Sequence, residues 1–487
     1  MSDAEGTQNQ PKKTRFCCDP VKCRCCNYRI PQRFVMAIML HLALQNNFNT
    51  RVVLNVAIVE MVAPPQEENI TEVACPEFGT PEPTQKGGKF PWPAETRALV
   101  LYAFYIGYTV LQVPGGWIAD KYGARYVILI CVLVTTATTA IFPICTQSFG
   151  HVAAIVLRFI LGMAHSPTMP ALSSMVSTWL PPSERAGWGG IAYAGTNLGT
   201  ILSNILTGVL IHAFDGWPVA FYFWSIYSAI FFFFVLLYLF SFPDTHPFIS
   251  KEEADFIRNM NSNNRAIVGR SLKTPWLKII SNMPYWANIA AQFAHNYIYF
   301  SLVTYLPTYL RDILQFDVSE DGYFSAIPFI ALWVTSLILG GTAHYFIRFM
   351  TEKWFNIICG AGCNVASAAL MVGAVYAGCN RMICIALYIL SMILKAFYYV
   401  TLTTNINALS RNHGGLMFGF CNALGSLSGI IGNAIIGSLT KDKQFKGWEI
   451  SFWIMLGVAS VTTLFFFIFS SVERQKFDYD EDTPMDQ

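Results

Sequence analysis

Arg51, Arg158 and Lys395, together with His165 and His295, stand inside long apolar runs of this 487-residue sequence. A charge at the centre of a bilayer costs roughly 2.5 to 3.5 kcal/mol on insertion scales, so such residues face a cavity or a partner. A guanidinium stays charged at every physiological pH and grips carboxylate or phosphate through two parallel hydrogen bonds. Two of them suit a site that selects anions. Histidine titrates near pH 6.5 when unperturbed and could carry a proton. His165 follows Arg158 by seven residues, two helical turns on and nearly the same face. Glu60 is the one carboxylate clearly inside an apolar run, so the interior is expected to be electropositive and to disfavour cationic amines. Asn55, Tyr105, Tyr193, Asn197, Asn296, Tyr297, Asn407 and Asn422 are polar candidates for completing a pocket, although such residues also commonly join helices.

These residues need helices that cross a membrane. The sequence is 54% hydrophobic and 13% charged, about half the roughly 25% charge of soluble domains. Apolar runs between charged or Pro/Gly breaks define spans 1 to 6 at 34–62, 96–117, 125–146, 152–179, 188–213 and 218–242. Spans 7 to 12 follow at 283–309, 322–347, 353–377, 382–408, 414–440 and 449–471. The fold class expected is an all-α polytopic membrane protein with twelve transmembrane helices in two six-helix bundles, 34–242 and 283–472. Around them lie a Cys-rich basic tail (1–33), a polar connector (243–282) and an acidic tail (473–487). The first apolar run is too long for a cleavable signal core, so the first helix is expected to act as its own signal.

Counting Lys and Arg by loop, with the N-terminus cytosolic, gives 21 inside and 8 outside, and Arg51, Arg158 and Lys395 complete the 32. Both termini are therefore expected in the cytosol. That topology places the sequon Asn69-Ile70-Thr71 in an outer loop, where it could be glycosylated. Cys17, Cys18, Cys23, Cys25 and Cys26 crowd the N-terminal tail, where acylation, metal binding and an inert tail are the alternatives. Cys75 and Cys379 both fall in outer loops and could form a disulfide. A net charge of +2 and the absence of a basic, aromatic-interleaved sheet pattern argue against nucleic acid as a partner.

After span 2 comes Gly115-Gly116-Trp117-Ile118-Ala119-Asp120-Lys121-Tyr122-Gly123-Ala124-Arg125. Its glycines allow a tight join, and Asp120, Lys121 and Arg125 can bond to neighbouring helix ends. The segment resembles the signature loop of the major facilitator superfamily, as does Arg158-x-x-x-Gly162 in span 4. Gly116, Asp120, Gly123 and Arg125 are on that resemblance the gating loop. Further segments resemble the branch that holds sialin, the vesicular glutamate carriers and the phosphate cotransporters, the invertebrate ones included. They are Arg51-Val52-Val53-Leu54-Asn55-Val56-Ala57, Trp179-Leu180-Pro181-Pro182-Ser183-Glu184-Arg185, Tyr193-Ala194-Gly195 with Leu198-Gly199-Thr200, Asp244-Thr245-His246-Pro247-Phe248-Ile249-Ser250, and Leu306-Pro307-Thr308-Tyr309-Leu310.

The resemblance implies the major facilitator fold and assigns Arg51 and Arg158 to substrate binding. Where that branch typically has a glutamate thought to handle the proton, this sequence has His165, and neighbouring cations would oppose its protonation. His295 stands where the glutamate carriers have arginine and sialin has tyrosine, so it is a substrate contact or a neutral imidazole bonded to a nearby helix. Lys395 has no counterpart in the pattern and is either a third anion contact or a side chain reaching for an interface.

The expected function is symport of inorganic phosphate or small organic anions such as acidic sugars by alternating access, with Arg51, Arg158, His295, Asn55, Tyr193 and Lys395 binding substrate and His165 the candidate proton carrier. Expected partners are a small anion, a co-transported sodium ion or proton and the bilayer, with no other cofactor and no metal. The location is the plasma membrane or an endolysosomal or vesicle membrane. The rival is a transporter-like receptor or scaffold without net flux. No covalent chemistry is implied, since no nucleophile–base pair or His-rich metal set is visible.

Overall fold

The computed structural model describes residues 31–62, 88, 90–214, 216–261, 274–314, 316, 318–410, 413–440 and 445–478. Asn69, Cys75 and the cysteines from Cys17 to Cys26 lie outside them. Among the described residues the chain is helical, with one isolated bridge between Val62 and Phe90.

Nine helical stretches among the described residues are long and apolar enough to cross a membrane. Three further helical lengths fall outside that count for physical reasons. Span 1 (Gln32–Met61) and span 7 (Met283–Asp312) are 30 residues each, long enough to cross, but amides dilute their hydropathy. The stretch Ala124–Trp179 holds 56 residues, which would reach roughly 84 Å if straight, against a core of about 30 Å. It breaks at Gly150, whose φ of 68° a side chain would oppose. The two arms on either side of Gly150 are spans 3 and 4, and Ile128 and Val132 of one belong to the same buried cluster as Ala171 and Leu172 of the other.

Several helices are interrupted, among them spans 2, 9 and 10, and span 4 breaks between His165 and Thr168. Span 2 runs Ala94–Val110, breaks at Leu111 and resumes as Gln112–Tyr122. Span 9 carries a π-helical stretch, Asn356–Gly362, before Cys363–Tyr376. Span 10 is Arg381–Lys395, then a 3-10 turn Ala396–Val400, then Leu402–Leu409. Such irregular stretches recur at functional sites because they re-aim side chains and free backbone groups.

The end of the bundle where span 1 begins is here the near end. There the backbone N–H groups of Gln32 and Arg33 donate to Glu253 of the connector helix Lys251–Asn261, at 2.9 and 3.1 Å. Arg33 also pairs with Glu184 and Glu253, so the connector caps span 1 and ties it to the start of span 5. The described part of the acidic tail folds back onto the same end: Asp478 accepts from Ser410 and Arg474, and the N–H of Gln475 donates to the carbonyl of Leu409.

Candidate functional site

Spans 1, 2 and 4 converge on Phe104, a fully buried ring of span 2. The Arg51 guanidinium carbon lies 4.9 Å from its centroid and that of Arg158 5.0 Å, and the His165 ring meets it edge-on at 5.4 Å. Small residues make this possible. A Cβ on Gly162 would sit 2.1 Å from the Phe104 carbonyl oxygen, so only glycine lets spans 2 and 4 approach this closely.

Arg51 is 7% exposed and Arg158 3%. Besides Phe104, the rings of Phe48, Tyr105, Tyr108 and Phe300 surround the Arg51 guanidinium at 4.8 to 5.7 Å. Phe300 belongs to span 7, so this box is built from both halves. Arg158 donates from Nη1 to the Arg51 carbonyl at 3.1 Å, and its Nε has no partner. Among the described residues no carboxylate pairs with either arginine. Cation–π contact contributes up to about 2 kcal/mol when desolvated and does not use up the N–H donors. The result is two buried cations with donors to spare, which fits an anion.

His165 is held by Thr50, whose hydroxyl lies 3.3 Å from Nε2, and it shares its ring neighbour with both arginines. Asn55, one turn beyond Arg51 toward the far end, is exposed, as is Glu60. Tyr193 is buried and stacks on Phe418 of span 11 at 5.6 Å.

His295 lies in the C-terminal half, its ring stacked on Tyr398 at 3.6 Å and 11°. Its carbonyl accepts from Lys395 Nζ at 3.0 Å, and Lys395 also donates to Asn364 Oδ1 at 2.9 Å. Lys395 thus binds within its own half. Asn197 joins the halves: its Oδ1 accepts from Tyr299 at 3.3 Å and Tyr399 at 3.1 Å. Asn422 donates to the Tyr108 hydroxyl at 3.1 Å, and Asn407 accepts from Ser173 at 2.8 Å. Asn296 and Tyr297 face the glycines of span 11, beside Gly425 and Gly432.

At the near end the glycine-rich loop meets the start of span 11 in the other half. Asp120 accepts from the N–H groups of Gly415 at 3.2 Å and Leu416 at 2.8 Å, capping span 11 (Gly414–Leu439) with a carboxylate at its positive dipole end. Gly116 lets span 2 touch that end, and Gly123 takes φ 94° to turn into span 3. Arg125 binds inside its own half instead, donating to the Leu236 carbonyl at 2.7 Å and lying 4.3 Å over Phe240. Asp120→Ala removes this cap, for which an exposed analogue costs about 1–2 kcal/mol. The expected result is a lower unfolding temperature in detergent and faster amide exchange over residues 414–418, with Asp120→Asn intermediate.

Phe104, Tyr108, Phe300, Thr50, Tyr398 and Tyr399 escape the sequence reading. Only Tyr105 carried a signal there, as a polar ring in span 2, and nothing in the sequence marks an aromatic as lying under a guanidinium.

The Major Facilitator Superfamily profile matches residues 32–433. Sialin of Homo sapiens is 32% identical over 469 residues, covering 93% of this chain and 91% of that protein. A Drosophila ananassae protein named "Putative inorganic phosphate cotransporter" is 31% identical over 454 residues, covering 90% and 93%. The solved structure of a proton:xylose symporter superposes with a TM-score of 0.66 at 12% identity, covering 92% of this chain and 97% of that one.

Proposed function

This chain belongs to the Major Facilitator Superfamily, and on that premise we propose that it is a multi-pass membrane carrier that moves a small anion by alternating access. The substrate class is inorganic phosphate or a small organic anion such as an acidic sugar, carried with a sodium ion or a proton. The observation that supports this best is the pair of buried guanidiniums around Phe104, unpaired with any described carboxylate and walled by rings from both halves. A buried cation without a counter-ion is costly, and an anion bound between the halves offsets that cost. The name of the relative "Putative inorganic phosphate cotransporter" points to the same substrate class.

The excess of Lys and Arg in the loops at the near end supports placing that end, and both termini, in the cytosol. In this reading the structure is closed on its cytosolic side by Asp120, Gly116 and span 11, and Asn55 looks into the opposite vestibule. Arg51 and Arg158 attract and orient the anion, and rocking of the halves about Asn197 and its two tyrosines exchanges access.

The test is a proteoliposome flux panel with phosphate, sialic acid, glutamate and urate under separate sodium, proton and voltage gradients. At least one anion accumulates against its gradient and competes with its own unlabelled form. Flux confined to cations or neutral sugars, or saturable anion binding with no flux under any gradient, contradicts the proposal.

A further inference from the structure

The C-terminal half holds a buried amine that the arginine site does not use. Lys395 is 1% exposed, and its described partners are neutral: the His295 carbonyl at 3.0 Å and Asn364 Oδ1 at 2.9 Å. A neutral amine has two hydrogens to give and finds two acceptors here. The third hydrogen of an ammonium finds no described acceptor, so the site satisfies both N–H groups of the uncharged form and leaves the charged form with an N–H to spare and no counter-ion among the described residues. A group that carries a proton in one step and releases it in another needs surroundings of this kind.

The groups facing it are few. Span 7 presents His295, span 9 presents Asn364 and the thiol of Cys363, and span 10 itself adds Tyr398 and Tyr399. Span 8 meets this stretch with Phe346 against Phe397. No described carboxylate or arginine is in contact, unlike at His165, which lies beside two guanidiniums.

The placement also gives Lys395 mechanical leverage. It is the last residue of the helix Arg381–Lys395, and the 3-10 turn that follows carries both Tyr398, stacked on His295, and Tyr399, which bonds Asn197 and lies within 3.3 Å of Thr196 in the other half. The π-helical stretch of span 9 ends immediately before Cys363 and Asn364. A change of charge on the Lys395 amine therefore acts on the segment that holds the halves together.

We propose that Lys395 is the proton-carrying group of the transport cycle, so that the coupling ion is a proton and its site lies in the C-terminal half, across the interface from the arginines. This rests on the anion-carrier reading above and names its coupling ion. The proton enters with the anion, whose charge lowers the cost of the buried ammonium, and leaves with it. The empty carrier then returns with a neutral amine.

The test uses the full chain in proteoliposomes with radiolabelled inorganic phosphate and, separately, sialic acid. Two quantities are read: exchange at equal pH, which needs no net proton movement, and accumulation driven by an inward pH gradient. Lys395→Gln is expected to keep exchange within about threefold of wild type and to lose gradient-driven accumulation by about tenfold or more. Lys395→Arg, whose guanidinium does not release its proton, is expected to do the same. Accumulation retained in either variant overturns the proposal. Exchange and accumulation lost together in both variants also overturns it, since that marks a structural brace. If the wild-type chain exchanges anion but ignores the pH gradient, the proposal fails and the carrier reading stands. If it exchanges no anion, the reading fails and the proposal with it.

Discussion

Replacing Arg158 with alanine is expected to abolish anion uptake while leaving the protein folded and delivered to the membrane. Arg158 is buried, donates to the Arg51 carbonyl and lies over Phe104 with its Nε unused. The carbonyl it touches belongs to a helix and keeps its intrahelical partner, so the fold loses little. The anion loses a buried, charge-assisted partner worth about 2–5 kcal/mol, which corresponds to a fall of roughly 30-fold to several thousand-fold in affinity. Arg158→Lys keeps the charge but cannot bond the carbonyl and grip an anion with two parallel donors, so its loss is expected to be intermediate. Uptake is read at substrate concentrations below saturation and normalised to surface protein. Near-normal uptake by the alanine variant removes Arg158 from the site.

Gly116→Val has the second large effect expected, for steric reasons. A Cβ at Gly116 would lie 2.2 Å from the carbonyl oxygen of Gly415 and 3.0 Å from the Cα of Leu416. Ordinary contact requires roughly 1 Å more, and both neighbours are backbone that cannot rotate away. Spans 2 and 11 must separate, and Asp120 loses its hold on Gly415 and Leu416 in the process. Hydrogen–deuterium exchange over residues 410–420 is expected to rise, and transport to fall by about tenfold or more because the near end no longer closes. Unchanged exchange in that segment with unchanged transport shows that the seal is not required.

The architecture was legible because a bilayer permits few solutions: apolar runs of about 20 residues, separated by polar breaks, already mark the crossings. Amides in span 1 lowered its hydropathy but left a helix of crossing length, and Gly150 marked where one long apolar stretch becomes two helices. The two arginines were legible for the same reason, since a charge in an apolar run is conspicuous. What surrounds them was not. Phe104 and Phe300 are ordinary apolar residues by sequence, and only the crossing of spans 1, 2, 4 and 7 turns them into walls for a guanidinium. Lys395 shows the converse. Its position in an apolar run suggested an anion contact or a side chain reaching for an interface, and in the structure the amine donates to the His295 carbonyl and to Asn364 within its own half.

The central claim is that the guanidiniums of Arg51 and Arg158 hold an anion between the two halves. It is tested most directly by equilibrium binding of radiolabelled inorganic phosphate and sialic acid to the purified chain, compared with Arg51→Gln and Arg158→Gln variants that unfold at the same temperature. The account predicts saturable binding of at least one anion to the wild-type chain, weakened at least about tenfold by either substitution. Equal binding by all three proteins would contradict it.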